Sequence, residues 1–174
     1  EILEAVRDNR KVAVKAGHAV TKSYTTAILI AWWVDVHPPE HTFVASTAPS
    51  VPQLRNVWDT LRKLHVRSVE RFEAGLTDHA LPGYITSSDN DWKLPGGVVV
   101  ASGRKPPTGK DDNAFQGSHA TYLLAVGDEA VGLPAGLIDN LDNIATGEEN
   151  RQLLIMNPTD PSSYVARIWR DDDP

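Results

Sequence analysis

Apolar residues along this chain fall in short runs whose period switches between that of a strand and that of a helix. Residues 12–15 (VAVK) predict a short buried strand, and residues 23–36 predict a helix that must stop before Pro38 and Pro39, which have no N–H to donate. Residues 42–46 (TFVAS) predict a second strand. The loop Ala48-Pro49-Ser50 then leads to a long helix from about Pro52, in which Leu54, Val57, Trp58, Leu61, Leu64 and Val69 largely keep helical spacing. Between 75 and 97 the pattern loosens into Asp and Gly turn signals with room for a hairpin. Residues 98–101 (VVVA) read as another strand, and 104–116, with Pro106, Pro107 and Gly109, as a mobile polar loop. Residues 122–126 (YLLAV) form an apolar strand ending in Gly127-Asp128-Glu129. A short helix over 134–144 follows, then a strand over 152–156 (QLLIM) ending in Asn157-Pro158-Thr159. Strands alternating with helices predict an α/β fold with a mainly parallel sheet. With no internal repeat, one domain is the economical reading.

The 174 residues suffice for one domain with a sizeable core, and 41% hydrophobic against 23% charged residues argues for a folded rather than a disordered chain. The absence of cysteine removes disulfides, thiolate metal sites and thiol nucleophiles, and fits a reducing compartment. A formal net charge of -6 lacks the basic footprint of a dedicated nucleic-acid module, so the domain by itself should hold DNA weakly. The longest apolar run, 27–34 (AILIAWWV), falls far short of the roughly 20 residues that span a bilayer, and neither a membrane segment nor a signal peptide is expected. The chain opens on Glu1 and closes on Asp171-Asp172-Asp173-Pro174, which reads as a fragment of something longer with 171–174 the start of a solvated linker.

The polar stretches after three of the strands carry the candidate chemistry. Ala16 to Ser23 lies between a strand and a helix, where backbone N–H groups and the positive helix end can face phosphates and a lysine can reach the outer ones. The usual pattern, G-x-x-x-x-G-K-[ST], keeps its Lys-Ser pair, but Ala16 replaces the first glycine and Thr21 the second. Threonine resists positive φ, so strain there would cost on the order of 1–3 kcal/mol. The candidate nucleotide-binding span is Gly17, His18, Ala19, Val20, Thr21, Lys22, Ser23 and the position after them, Tyr24. Taken alone, Lys22-Ser23 is better read as a capping serine beside a solvated lysine. The strand ending in Asp128-Glu129 shifts that weighting. Acids at the carboxyl end of a parallel strand face the crevice of an α/β sheet. There one can hold Mg²⁺ while the next polarises an attacking water. The plain alternative is a helix N-terminal charge pair ahead of Ala130. Asn157 could hydrogen-bond a γ-phosphate or the attacking water, or Asn157-Pro158 could merely make a turn. Lysine loop, acid pair and sheet order agree.

The same residues resemble a known family. Lys22-Ser23 in a degenerate loop, Ser46-Thr47-Ala48-Pro49-Ser50 followed by Gln53-Leu54, and Phe115-Gln116-Gly117-Ser118-His119-Ala120 precede Gly127-Asp128-Glu129-Ala130 and Met156-Asn157-Pro158-Thr159. That order resembles the ATPase domain of tailed-phage terminase large subunits over residues 12–169. The resemblance implies a RecA-like P-loop ATPase of the ASCE type over residues 1–170, its mainly parallel sheet flanked by helices. It implies ATP and Mg²⁺ as cofactors, with Lys22 and Ser23 as the Walker A residues. Ser23 and Asp128 would be the metal pair, Glu129 the catalytic acid, Thr47 to Pro49 the segment after the second strand, and Asn157 to Thr159 the coupling motif. It further implies a homo-oligomeric ring, monomeric as an isolated domain, that translocates double-stranded DNA. Portal protein and terminase small subunit would be its partners, in the host-cell cytoplasm at the portal of the procapsid. An RNase H-like nuclease, absent here, would follow the linker. Gln116 stands where the family often has an arginine finger; Arg104 is the substitute candidate, although a loop arginine reads first as solvated.

The remaining features suggest plainer roles. His37 and His41 flank Pro38-Pro39 and cannot share a helix face, and zinc spacing fails without cysteine. His18, in the loop, either meets a phosphate or is an ordinary polar residue. Trp32 and Trp33 suit packing rather than an adenine platform. Lys63, Arg67 and Arg71 form a basic face that reads as solvated. Two other functions stay open: a RecA-like helicase lobe, and an assembly module whose degenerate loop hydrolyses nothing.

Overall fold

The structure is a computed structural model that describes residues 1–17, 22–106, 115, 119–157 and 159–171, without side chains for 168–171. Among the described residues, twelve elements follow in order: α1 (Ile2–Asp8), β1 (Lys11–Lys15), α2 (Lys22–Val36), β2 (Thr42–Thr47), α3 (Val51–Glu73), β3 (Tyr84–Ile85), β4 (Asp91–Lys93), β5 (Val99–Gly103), β6 (Tyr122–Gly127), α4 (Ala135–Ile144), β7 (Arg151–Met156) and α5 (Tyr164–Asp171). Short 3₁₀ turns at Pro39–His41 and Ala130–Gly132 complete the order.

All strands join one sheet in the order β1-β7-β6-β2-β5-β4-β3. The first five in that order run parallel, and the β3–β4 hairpin extends the sheet antiparallel beyond β5. Parallel strands are covered on both faces, which is why they are nearly continuous apolar runs. One face packs Val44, Leu124, Val126, Leu153 and Ile155 against α1, α2 and α3. The other packs Ala45, Leu123, Ala125, Leu154 and Met156 against α4 and the start of α5. The expected mixed α/β, mainly parallel sheet flanked by helices is the fold observed.

Local chemistry sets the element bounds. Ser50 caps α3 by accepting from the Gln53 N–H at 3.4 Å, and Pro52 sits in the first turn, where its missing N–H costs nothing. Leu54, Val57, Trp58, Leu61 and His65 then repeat at helical spacing along the buried face. α2 is apolar nearly all round because it lies between the sheet and α3, and it ends at Val36, ahead of the two prolines. The loosely patterned stretch holds the β3–β4 hairpin. Pro134 is the N-cap of α4 rather than its first residue. α1 carries no clear signal in the hydrophobic pattern, since it has one buried residue, Val6, too few to set a period; α5 is amphipathic and is not among the expected helices. Of the loop expected over 104–116, Arg104 to Pro106 and Phe115 are described; the rest lies outside the described residues.

Candidate functional site

Three parallel neighbours, β1, β7 and β6, end on the same side of the sheet, and Ala16 N–H extends the β1–β7 ladder by donating to Met156 O at 2.9 Å. The chain leaves β1 through Gly17, re-enters as α2 at Lys22, leaves β6 at Asp128-Glu129, and leaves β7 at Asn157. Carboxyl ends of parallel strands are where an α/β sheet opens a crevice. Five polar residues from three distant stretches of the sequence meet in this one.

Lys22 is 9% exposed, and its ammonium lies 2.7 Å from Asn157 Oδ1, 3.3 Å from Glu129 Oε1 and 3.4 Å from the Gly17 carbonyl oxygen. A solvated lysine would look nothing like this. Ser23 donates its hydroxyl to Asp128 Oδ2 at 3.2 Å. Asp128 is 2% exposed, accepts the Glu129 N–H on Oδ1 at 3.1 Å, and gives its own N–H to Thr47 O at 2.9 Å. Burial pushes the Asp128 carboxyl above the usual carboxylate range; the Ser23 hydroxyl opposes that shift, and the neighbouring Glu129 charge adds to it.

Glu129 sits at φ 51, ψ 46, the left-handed region that a residue with a side chain enters at a cost of about 1–3 kcal/mol. The turn after it holds that shape, with Gly132 N–H donating to Glu129 O at 3.0 Å. The Glu129 side chain makes no cap bond to the Ala130–Gly132 turn and instead reaches back to Lys22. The helix-terminus reading of the acid pair therefore does not describe this geometry. Gly127 has a packing reason as well: a Cβ there would stand 2.8 Å from Leu154 Cδ2 and 2.9 Å from Leu133 Cδ1.

The donor set suits a magnesium–phosphate group. Ser23 and Asp128 offer hard oxygens side by side with no soft ligand, which fits Mg²⁺. Lys22 supplies a buried cation at the start of a 15-residue helix. Of the candidate binding span, Gly17 lies beside the ammonium and Tyr24 is 47% exposed. His18, Ala19, Val20 and Thr21 lie outside the described residues, as does Gln116.

Arg104 corrects the expectation of a solvated loop arginine. Its guanidinium pairs with Asp91 Oδ1 at 2.8 Å and donates to Asp89 O at 2.7 Å, while its N–H donates to Ser46 O at 3.0 Å. Its backbone continues the β2–β5 ladder one residue beyond β5, and the buried Asp91 carboxylate holds its side chain. Trp33 packs as expected, 3% exposed with its Nε1–H on Tyr122 O at 3.1 Å, and His37 stacks on Tyr122. Lys63, Arg67 and Arg71 are exposed. Among the described residues no group of three or more His, Cys, Asp or Glu could hold a metal, and no helix is long and apolar enough to cross a membrane. What the sequence did not disclose is the direct contact between Lys22 and Asn157, which joins positions 135 apart.

No protein-family model matches the chain. It is 27% identical over 166 residues, 94% of its length, to the "Probable terminase, large subunit" of Enterobacteria phage P7, and it spans 32% of that protein. The large terminase of a thermophilic bacteriophage superposes with a TM-score of 0.67 at 14% identity, over 95% of this chain and 38% of that one. That terminase has also been solved in complex with ADP. The N-terminal domain of the DNA packaging ATPase from bacteriophage phi29 superposes at 0.64 with 11% identity, over 96% of this chain and 82% of that one. In sequence through its phage relative, and in fold through the packaging motors, this chain resembles the ATPase domain of the phage terminase large subunit.

Proposed function

We propose that this chain is a Mg²⁺-dependent ATPase domain whose hydrolysis drives double-stranded DNA into a viral procapsid. One observation carries the reading: Lys22, Ser23, Asp128, Glu129 and Asn157 converge at the carboxyl ends of β1, β6 and β7. The relative from phage P7 and the ADP-bound terminase of the same fold support it.

Lys22, at the N-terminus of α2, holds the phosphates. Ser23 and Asp128 would hold Mg²⁺, which when bound would neutralise developing charge on the phosphate oxygens. Glu129, fixed by its strained backbone, orients and polarises the attacking water. Most of the acceleration comes from positioning and charge, because phosphoryl transfer needs little covalent help from the protein. By the same resemblance, the assembled form is a ring of copies working on the portal in the host-cell cytoplasm, with the terminase small subunit as a partner.

The test is steady-state ATP turnover by wild type, Glu129→Gln and Lys22→Ala. Losing the catalytic acid or the phosphate cation should each lower turnover at least about a hundredfold. Equal rates in all three would refute the site, and no Mg²⁺-ATP binding by wild type would favour an assembly module instead.

A further inference from the structure

The Lys22 ammonium has three N–H donors, and the structure already supplies three oxygens: Asn157 Oδ1, Glu129 Oε1 and Gly17 O. The shortest contact, 2.7 Å, goes to a neutral amide rather than to the carboxylate. Lys22 and Asn157 are each 9% exposed, so water competes weakly for either partner. A phosphate oxygen reaching this ammonium must therefore displace an oxygen already bound to it.

We infer that Asn157 and Glu129 form an intramolecular latch on Lys22, and that nucleotide binds by exchanging the Asn157 amide oxygen for a phosphate oxygen. This rests on the nucleotide reading above and assigns Asn157 a role that reading leaves open. A phosphate ligand would strengthen binding; a latch weakens it, because part of the affinity goes into breaking the closed contact. The latch also gives nucleotide occupancy a route outward. Asn157 directly follows β7, its carbonyl accepts the Thr159 N–H at 2.8 Å, and the chain then runs on to α5. Freeing its side chain changes the restraint at the root of that segment.

The experiment is equilibrium titration of the full chain with a fluorescent ADP analogue and Mg²⁺. Asn157→Leu removes the acceptor at similar volume and should tighten binding about threefold to tenfold, with Asn157→Ala moving in the same direction. Asn157→Asp places an anion on Lys22 and should weaken binding. Lys22→Ala should abolish it, and thermal melting of each variant reports folding. Unchanged or weaker binding in both Asn157→Leu and Asn157→Ala, with Lys22→Ala still abolishing it, overturns the latch and leaves the nucleotide site standing. No binding by wild type overturns both.

Discussion

Asp128 is nearly devoid of solvent, and its carboxyl is held above the ordinary value of 3.8 chiefly by burial. The folded protein then binds the Asp128 proton more readily than the unfolded chain does. Its contribution to stability is complete below the unfolded value and is lost as pH rises through the folded one. At neutral pH the buried charge is a cost that bound Mg²⁺ would offset. Asn at 128 could still accept the Glu129 N–H and, through Nδ2, donate to the Ser23 oxygen. Asp128→Asn should therefore raise the melting temperature of the nucleotide-free protein at pH 7, and the gain should shrink as the pH is lowered through the raised value of Asp128, while Mg²⁺-dependent turnover is lost. A pH-independent difference would show that charge burial is not the cause.

At the scale of elements, the carboxyl ends of β2 and β5 are joined to α3 by one packed contact. Trp58 is fully buried and donates Nε1–H to Ser46 Oγ at 3.0 Å, and Gly103 leaves room for its ring. A Cβ on Gly103 would lie 2.1 Å from Trp58 Nε1, so the indole or the strand would have to move. Gly103→Ala should cost about 1–3 kcal/mol in denaturant unfolding, as overpacked core sites do. An unchanged midpoint would mean that α3 shifts freely on the sheet. This contact was not legible from sequence, since nothing in VVASG marks the residue that must face a tryptophan 45 positions earlier. The two long helices were legible: α3 through its spacing and its Ser50-Pro52 start, and α2 through its two terminating prolines.

At the scale of the whole molecule, the strand order places β7 between β1 and β6, so the lysine, the acid pair and the asparagine share one corner of the sheet. Nucleotide that binds the folded chain alone should stabilise it by mass action. At a hundred times its dissociation constant the gain is about 2.7 kcal/mol, or a rise in melting temperature of roughly 5–10 °C for a chain of this size. Differential scanning fluorimetry with Mg²⁺-ADP checks this, and a flat melting temperature under saturating ligand would count against a site formed within one chain.

The sequence by itself determined the class of the fold, because strand and helix periods, proline stops and capping residues are local properties carried by neighbouring side chains. It also nominated the site, since Lys22-Ser23 open a helix and Asp128-Glu129 and Asn157 each follow an apolar strand. Only the tertiary structure decided which of these groups touch. The pairing of Lys22 with Asn157, the burial that raises the Asp128 carboxyl, the left-handed turn at Glu129 and the anchoring of Arg104 to Asp91 depend on distances between residues remote in sequence. Such distances are set by strand register and packing, which no local pattern encodes.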